Sequence, residues 1–112
     1  MVLFASPTDS EVKPMKAVRF VVIHKPGPNW KPGIPAFEQA GLQQHVEHFR
    51  TLLDAGKLAM GGPFMDDASG GMMIPEPSTS EEEMRNFANE DPTVRSGLLK
   101  FEIRPWLSAL QK

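Results

Sequence analysis

Lys16–Lys25 reads KAVRFVVIHK, a run rich in Val, Ile and Phe. β-Branched and aromatic residues without a breaker predict a strand. Side chains alternate along a strand, so Val18, Phe20, Val22 and His24 share one face and Ala17, Arg19, Val21 and Ile23 the other. Both faces are largely apolar, which predicts a central strand covered on both sides.

The segments that follow say what supplies that cover. Pro26–Pro35 holds four prolines and two glycines in ten residues. Proline lacks a backbone donor and fixes φ, so neither a helix nor a central strand fits here. The segment reads as a long ordered loop anchored by Trp30, of a length that in compact domains commonly carries function. From about Ala36 to Ala55 the spacing turns helical, with Leu42, Val46, Phe49 and Leu53 forming an apolar stripe and Gly56 a fitting stop. His45 lies on the flank of that stripe and His48 near its edge, while Gln44, Glu47 and Thr51 point away. Lys57–Pro63 and Gly71–Pro75 read as two short strands of a hairpin turning at Asp66–Gly71. Ser80 with Glu83 forms a capping-box signature for a second helix reaching about Glu90, its inner face carrying Met84, Phe87 and Ala88. Asp91-Pro92 suits the N-cap and first position of a further brief helical turn. Leu98–Trp106 is a last strand, with Leu99, Phe101 and Ile103 on one face and Lys100, Glu102, Arg104 and Trp106 on the other.

The order β-α-β-β-α-β predicts an α+β fold, a ferredoxin-like protomer whose four-stranded antiparallel sheet carries both helices on one face. Residues 1–14 read as a loose N-terminal extension and residues 15–112 as one domain, in keeping with a chain of 112 residues. The second sheet face is too apolar for water and nothing in the chain remains to cover it. Two sheets packed face to face solve this, so a homodimer is expected, with higher assembly left open.

Composition narrows the chemistry. A net charge of −2 excludes the basic surplus that a general nucleic-acid or anionic-membrane binder needs. No apolar run approaches the length of a membrane span, and the opening MVLFASPTDS lacks a basic n-region and an adequate apolar core, so a cytoplasmic protein is expected. The absence of cysteine removes disulfides, thiol nucleophiles and thiolate metal sites, which leaves histidine with a carboxylate as the credible catalytic pairing.

His45 on a core-facing helix flank is either a buried structural histidine or a general acid–base, since imidazole alone titrates near neutrality unaided. Asp91, seven residues after Met84, extends the inner stripe of the second helix. It is a structural cap, or a carboxylate that orients a histidine and supports its charged form. The two roles are compatible, because a cap uses one oxygen. His24, at the end of the first strand, is a pocket-rim residue or a solvated strand end. His45 and His48 have the spacing of a chelating pair, but no third ligand follows by spacing, so no metal is expected. The glycine pairs at 61–62 and 70–71 form no phosphate cradle, Asp66-Asp67 is turn chemistry rather than a calcium site, and Ser69 stands in no nucleophile elbow. The methionines at 60, 65, 72 and 73 suit a plastic core or pocket lining.

Several spaced motifs together resemble the YCII-related family. They are the run from His45 through Leu53-Asp54-Ala55-Gly56-Lys57-Leu58 to Gly61-Gly62-Pro63, then Asn89-Glu90-Asp91-Pro92-Thr93-Val94 through Gly97, and finally Ile103-Arg104-Pro105-Trp106. The likeness spans about residues 16–108. It implies a dimeric α+β barrel and a His–Asp pair in a pocket beside the sheet, matched here by His45 and Asp91. Most members have no assigned reaction; one branch removes chloride from chlorinated hydroxyquinols. The expectation is a small-molecule enzyme without metal or organic cofactor, in which His45 transfers a proton in a lyase- or hydrolase-like step and Asp91 fixes its tautomer. His24, Gly62, Pro63, Arg104 and Trp106 are candidates for the pocket wall. The alternative is a non-catalytic, ligand-binding or accessory homodimer. An open polar pocket reached by both His45 and Asp91 favours catalysis, and a closed apolar one favours binding. The proline-rich loop at 26–35 is longer than in short members, so substrate preference does not transfer.

Overall fold

The computed structural model describes residues 17–66 and 70–112; the extension at 1–14 and the middle of the 66–71 turn lie outside the described residues. The first strand, β1 (Val18–Pro26), is interior, flanked by β3 (Gly71–Pro75) and β4 (Leu99–Leu107). β2 (Leu58–Pro63) pairs with the outer side of β3, so the sheet order is β2-β3-β1-β4 with every pair antiparallel. This is the ferredoxin-like arrangement expected from the element order. Among the described residues no helix is long and apolar enough to cross a membrane.

The register fixes which side chains share a face. Val22 stands opposite Met73 on one side and Ile103 on the other, and His24 stands between Gly71 and Phe101. These residues face α1 (Leu42–Asp54) and α2 (Glu81–Asn89). Val22, Phe49, Leu52, Leu58, Met73, Met84 and Ala88 close into one core, with Phe87, Phe101 and Ile103 packed against it. Phe49, 2% exposed, is the largest of them; burying such a ring stabilises by about 1.5–3 kcal/mol. Gly71 is required where it stands, because a Cβ there would run into the backbone of Gly62 and Pro63 on β2.

Two boundaries differ from the sequence reading for identifiable reasons. The first helix starts at Leu42 rather than near Ala36, because Gly41 takes φ 96, a left-handed conformation that breaks the preceding helical turn at Ala36–Glu38. The buried stripe of α1 is His45, Phe49 and Leu52, whereas Val46 and Leu53 are more than 40% exposed. The helix is rotated so that its nominal apolar stripe borders a cavity and His45 turns into the core. The capping box on α2 forms as expected: Glu83 N–H donates to Ser80 Oγ and Ser80 N–H donates to the Glu83 carboxylate. A short α3 (Pro92–Arg95) follows, with Pro92 in its first turn.

The segment between β1 and α1 is ordered by one side chain. Gln39 is buried, accepts from Lys31 N–H, and donates to the carbonyls of Lys31 and Ile34. At its start the loop runs beside the α3–β4 turn, where Gly27 N–H donates to the Leu98 carbonyl and Asn29 N–H to that of Gly97.

Candidate functional site

Three elements meet beneath α1. His24 comes from β1, His45 from α1 and Asp91 from the cap of α3. Asp91 is fully buried and divides its carboxylate between two tasks. Oδ1 accepts from the Thr93 backbone N–H at 2.9 Å and from the Thr93 hydroxyl at 2.8 Å. Oδ2 lies 2.6 Å from His45 Nδ1. An ionised carboxylate only accepts, so Nδ1 carries the proton and Nε2 is the nitrogen left for chemistry. Cap and orienter coexist, one oxygen each.

The electrostatics favour a charged Asp91. Burial pushes its pKa up, but the hydrogen bond and charge of His45, with the two donors of Thr93, outweigh that and hold it below the ordinary carboxylate value. His24 goes the other way. Burial pushes its imidazole down to about 3; His45 adds to this, Asp91 opposes it, and His48 contributes least. His24 is therefore a neutral imidazole near pH 7. It is 2% exposed, and neither ring nitrogen has a hydrogen-bond partner among the described residues. Its Nε2 stands 4.0 Å from Asp91 Oδ2, beyond a hydrogen bond. Its ring meets those of His45 and Phe49 edge-on, with centroids 4.6 and 5.4 Å away.

His24 and His45 both line a cavity of about 490 Å³. Its walls come from α1 (Leu42, Val46, Leu53), from β2 and β3, and from Trp30 and Phe37 of the long loop. The size suits a small-molecule ligand, and the wall is predominantly apolar. Gly62 and Pro63 line it. His24 sits inside the cavity rather than at its rim, because position 24 belongs to the helix-covered face of β1. Asp91 does not reach the cavity wall; it acts through His45. Arg104 and Trp106 do not line this cavity either. Strand alternation puts them on the sheet face away from the helices, opposite Val21 and Arg19 of β1. His48 is structural: its Nε2–H donates to the Phe87 carbonyl at 2.6 Å and its ring stacks on Phe87 at 3.9 Å, tying α1 to α2.

Two imidazoles and a carboxylate, each offering one ligand atom within 4.8 Å of the others, form a donor set that a divalent transition ion accepts. Two ligands of one ion, each about 2.0–2.2 Å from it, stand about 3 Å or more apart. The 2.6 Å contact of His45 with Asp91 is instead organised around a proton. Sequence reasoning passed over Arg50, Phe37 and Leu53 as cavity residues. The signal was present for Arg50, which follows Val46 by one helical turn.

No curated protein and no solved structure matches the chain. A family model, the YCII-related domain, matches residues 18–107, which takes in β1 through β4 and the residues His24, His45 and Asp91. The chain belongs to the YCII-related family.

Proposed function

We propose that this protein is a small-molecule enzyme that works without an organic cofactor and uses His45 as general base and acid. The carrying observation is the 2.6 Å bond from His45 Nδ1 to a fully buried Asp91, with the same imidazole lining the cavity. In the forward step Nε2 accepts a proton from an O–H or C–H of the bound molecule, or from a water. The imidazolium so formed keeps its Nδ1–H on Asp91, whose charge stabilises it. In the return step Nε2–H protonates the leaving group. With a proton taken from the bound molecule itself the outcome is a lyase-like elimination. With a proton taken from a water whose oxygen bonds to the molecule as the leaving group departs, it is hydrolysis.

The test is turnover of small halogenated, hydroxylated and esterified aromatic compounds, followed by mass spectrometry for loss of HX or gain of water. His45→Gln is expected to lower the rate by at least about 100-fold with the circular dichroism of the wild type, and Asp91→Asn to lower it less. Unchanged turnover in a folded His45→Gln protein would sink the proposal. A second reading, ligand binding without catalysis, is favoured by the apolar wall and by the structural duty of Asp91 at the start of α3. It predicts compounds that shift the His45 ring resonances and emerge unaltered.

The protein is further proposed to pair with a second copy through the sheet face away from the helices. In support, Ile23, Met72 and Ile74 point to that face by alternation, and Met72 and Trp106 are exposed.

A further inference from the structure

Among the described side chains lining the cavity, Arg50 is the one permanent charge. It is exposed and makes no ion pair with a described residue; neither Glu47, one turn before it on α1, nor Asp54, one turn after, reaches it. Arg50 follows His45 by five residues, about 7.5 Å along the helix axis. Deep in the cavity His24 is 98% buried, given its 2% exposure, with both ring nitrogens unpartnered. The wall also includes Leu42, Val46, Leu53 and Phe37. The cavity thus has one exposed cationic residue, an apolar waist and the imidazole of His45 in its wall.

We propose that its ligands are apolar monocarboxylates, with the carboxylate on the Arg50 guanidinium and the reacting end at His45. This rests on the reading of His45 as the reacting base and names the class of molecule brought to it. One guanidinium balances one negative charge. A phosphate dianion would need further donors, and the waist offers none. A guanidinium also meets a carboxylate with two parallel N–H donors, so the contact sets the ligand's direction as well as its charge. With the carboxylate held on Arg50, an aryl or alkyl body fills the apolar waist and brings a reacting group to His45.

Hydrocinnamate and its neutral isostere hydrocinnamamide distinguish the parts of this inference by NMR titration of the full chain, read at the imidazole resonances. The acid is expected to shift the His24 and His45 resonances and to bind about tenfold tighter than the amide, the size of one charge-assisted contact. That preference is expected to persist in Arg50→Lys and to vanish in Arg50→Gln. Equal affinities for acid and amide, or a preference surviving in Arg50→Gln, overturns the role of Arg50 while leaving the His45 site standing. Binding that leaves the His45 resonances unmoved overturns the site reading itself. Absence of binding by both compounds overturns the ligand class.

Discussion

Asp91 holds two structures together with one side chain, and its substitutions separate them. Asp91→Asn keeps an oxygen for the Thr93 donors, so α3 stays capped while the charge opposite His45 disappears. Asp91→Ala removes both and leaves buried donors unpaired. The alanine variant is expected to lose about 2–3 kcal/mol of unfolding free energy in urea, and the asparagine variant clearly less. Equal losses would mean that the cap contributes nothing. His24 gives a different residue-scale prediction. Its folded pKa of about 3 lies below the unfolded 6.5, so between those values the unfolded chain binds the proton. The stability gained by keeping His24 neutral is complete above pH 6.5 and falls as the pH drops toward 3, by up to about 1.4 kcal/mol per pH unit from this group. Asp91 acts in the same direction, but only below its ordinary 3.8. His24→Phe, a ring for a ring against Phe49 and Phe101, should flatten the pH dependence of urea unfolding between pH 6 and 4.5. A slope unchanged from wild type would remove His24 as its cause.

Elements behave here as their termini dictate. α1 begins where Gly41 enters the left-handed region, and no side chain caps it. Gly41→Ala should cost about 1–2 kcal/mol in equilibrium unfolding, the penalty of a Cβ in that conformation, and a neutral result would show that the chain re-enters the helix by another route. α2 and α3 were legible in the sequence because their starts are written in side chains: Ser80 with Glu83, and Asp91 before Pro92. The rotation of α1 was not legible. Leu42, Val46, Phe49 and Leu53 have faultless helical spacing, yet spacing reports an apolar face and not whether core or cavity lies against it. For the same reason His45 could be placed on a flank but not paired with Asp91 from periodicity alone. The likeness to a known family supplied that partner. His24 could be assigned to the face of Val22, but its depth in the cavity depends on Gly71 and Phe101 standing beside it, which only the register reveals.

At the scale of the molecule, the sheet has one face covered by helices, and the other is the face proposed to meet a second copy. The whole-chain prediction is a mass near 25 kDa by light scattering, twice the 12.4 kDa of one chain. Ile23→Lys, a charge in the middle of the bare face, should return it to one chain with unaltered circular dichroism. A wild-type protein that scatters as a single chain at micromolar concentration would refute the pairing. The element order and antiparallel sheet could be read from alternation and breakers, because each strand announces its own two faces. Arg104 and Trp106 show the limit of that reading: the face they occupy was evident, while the location of the cavity was not, since a cavity is what several elements leave unfilled.

The amide of Gln39 closes the long loop on itself through the Lys31 and Ile34 backbone. The loop contributes Trp30 and Phe37 to the wall, whereas His24, His45 and Asp91 stand on β1, α1 and the start of α3. One part of the wall is therefore braced apart from the His45–Asp91 contact. Wall residues on the clamped loop can be exchanged, by laboratory evolution or by natural divergence, to admit new molecules while that contact is inherited intact.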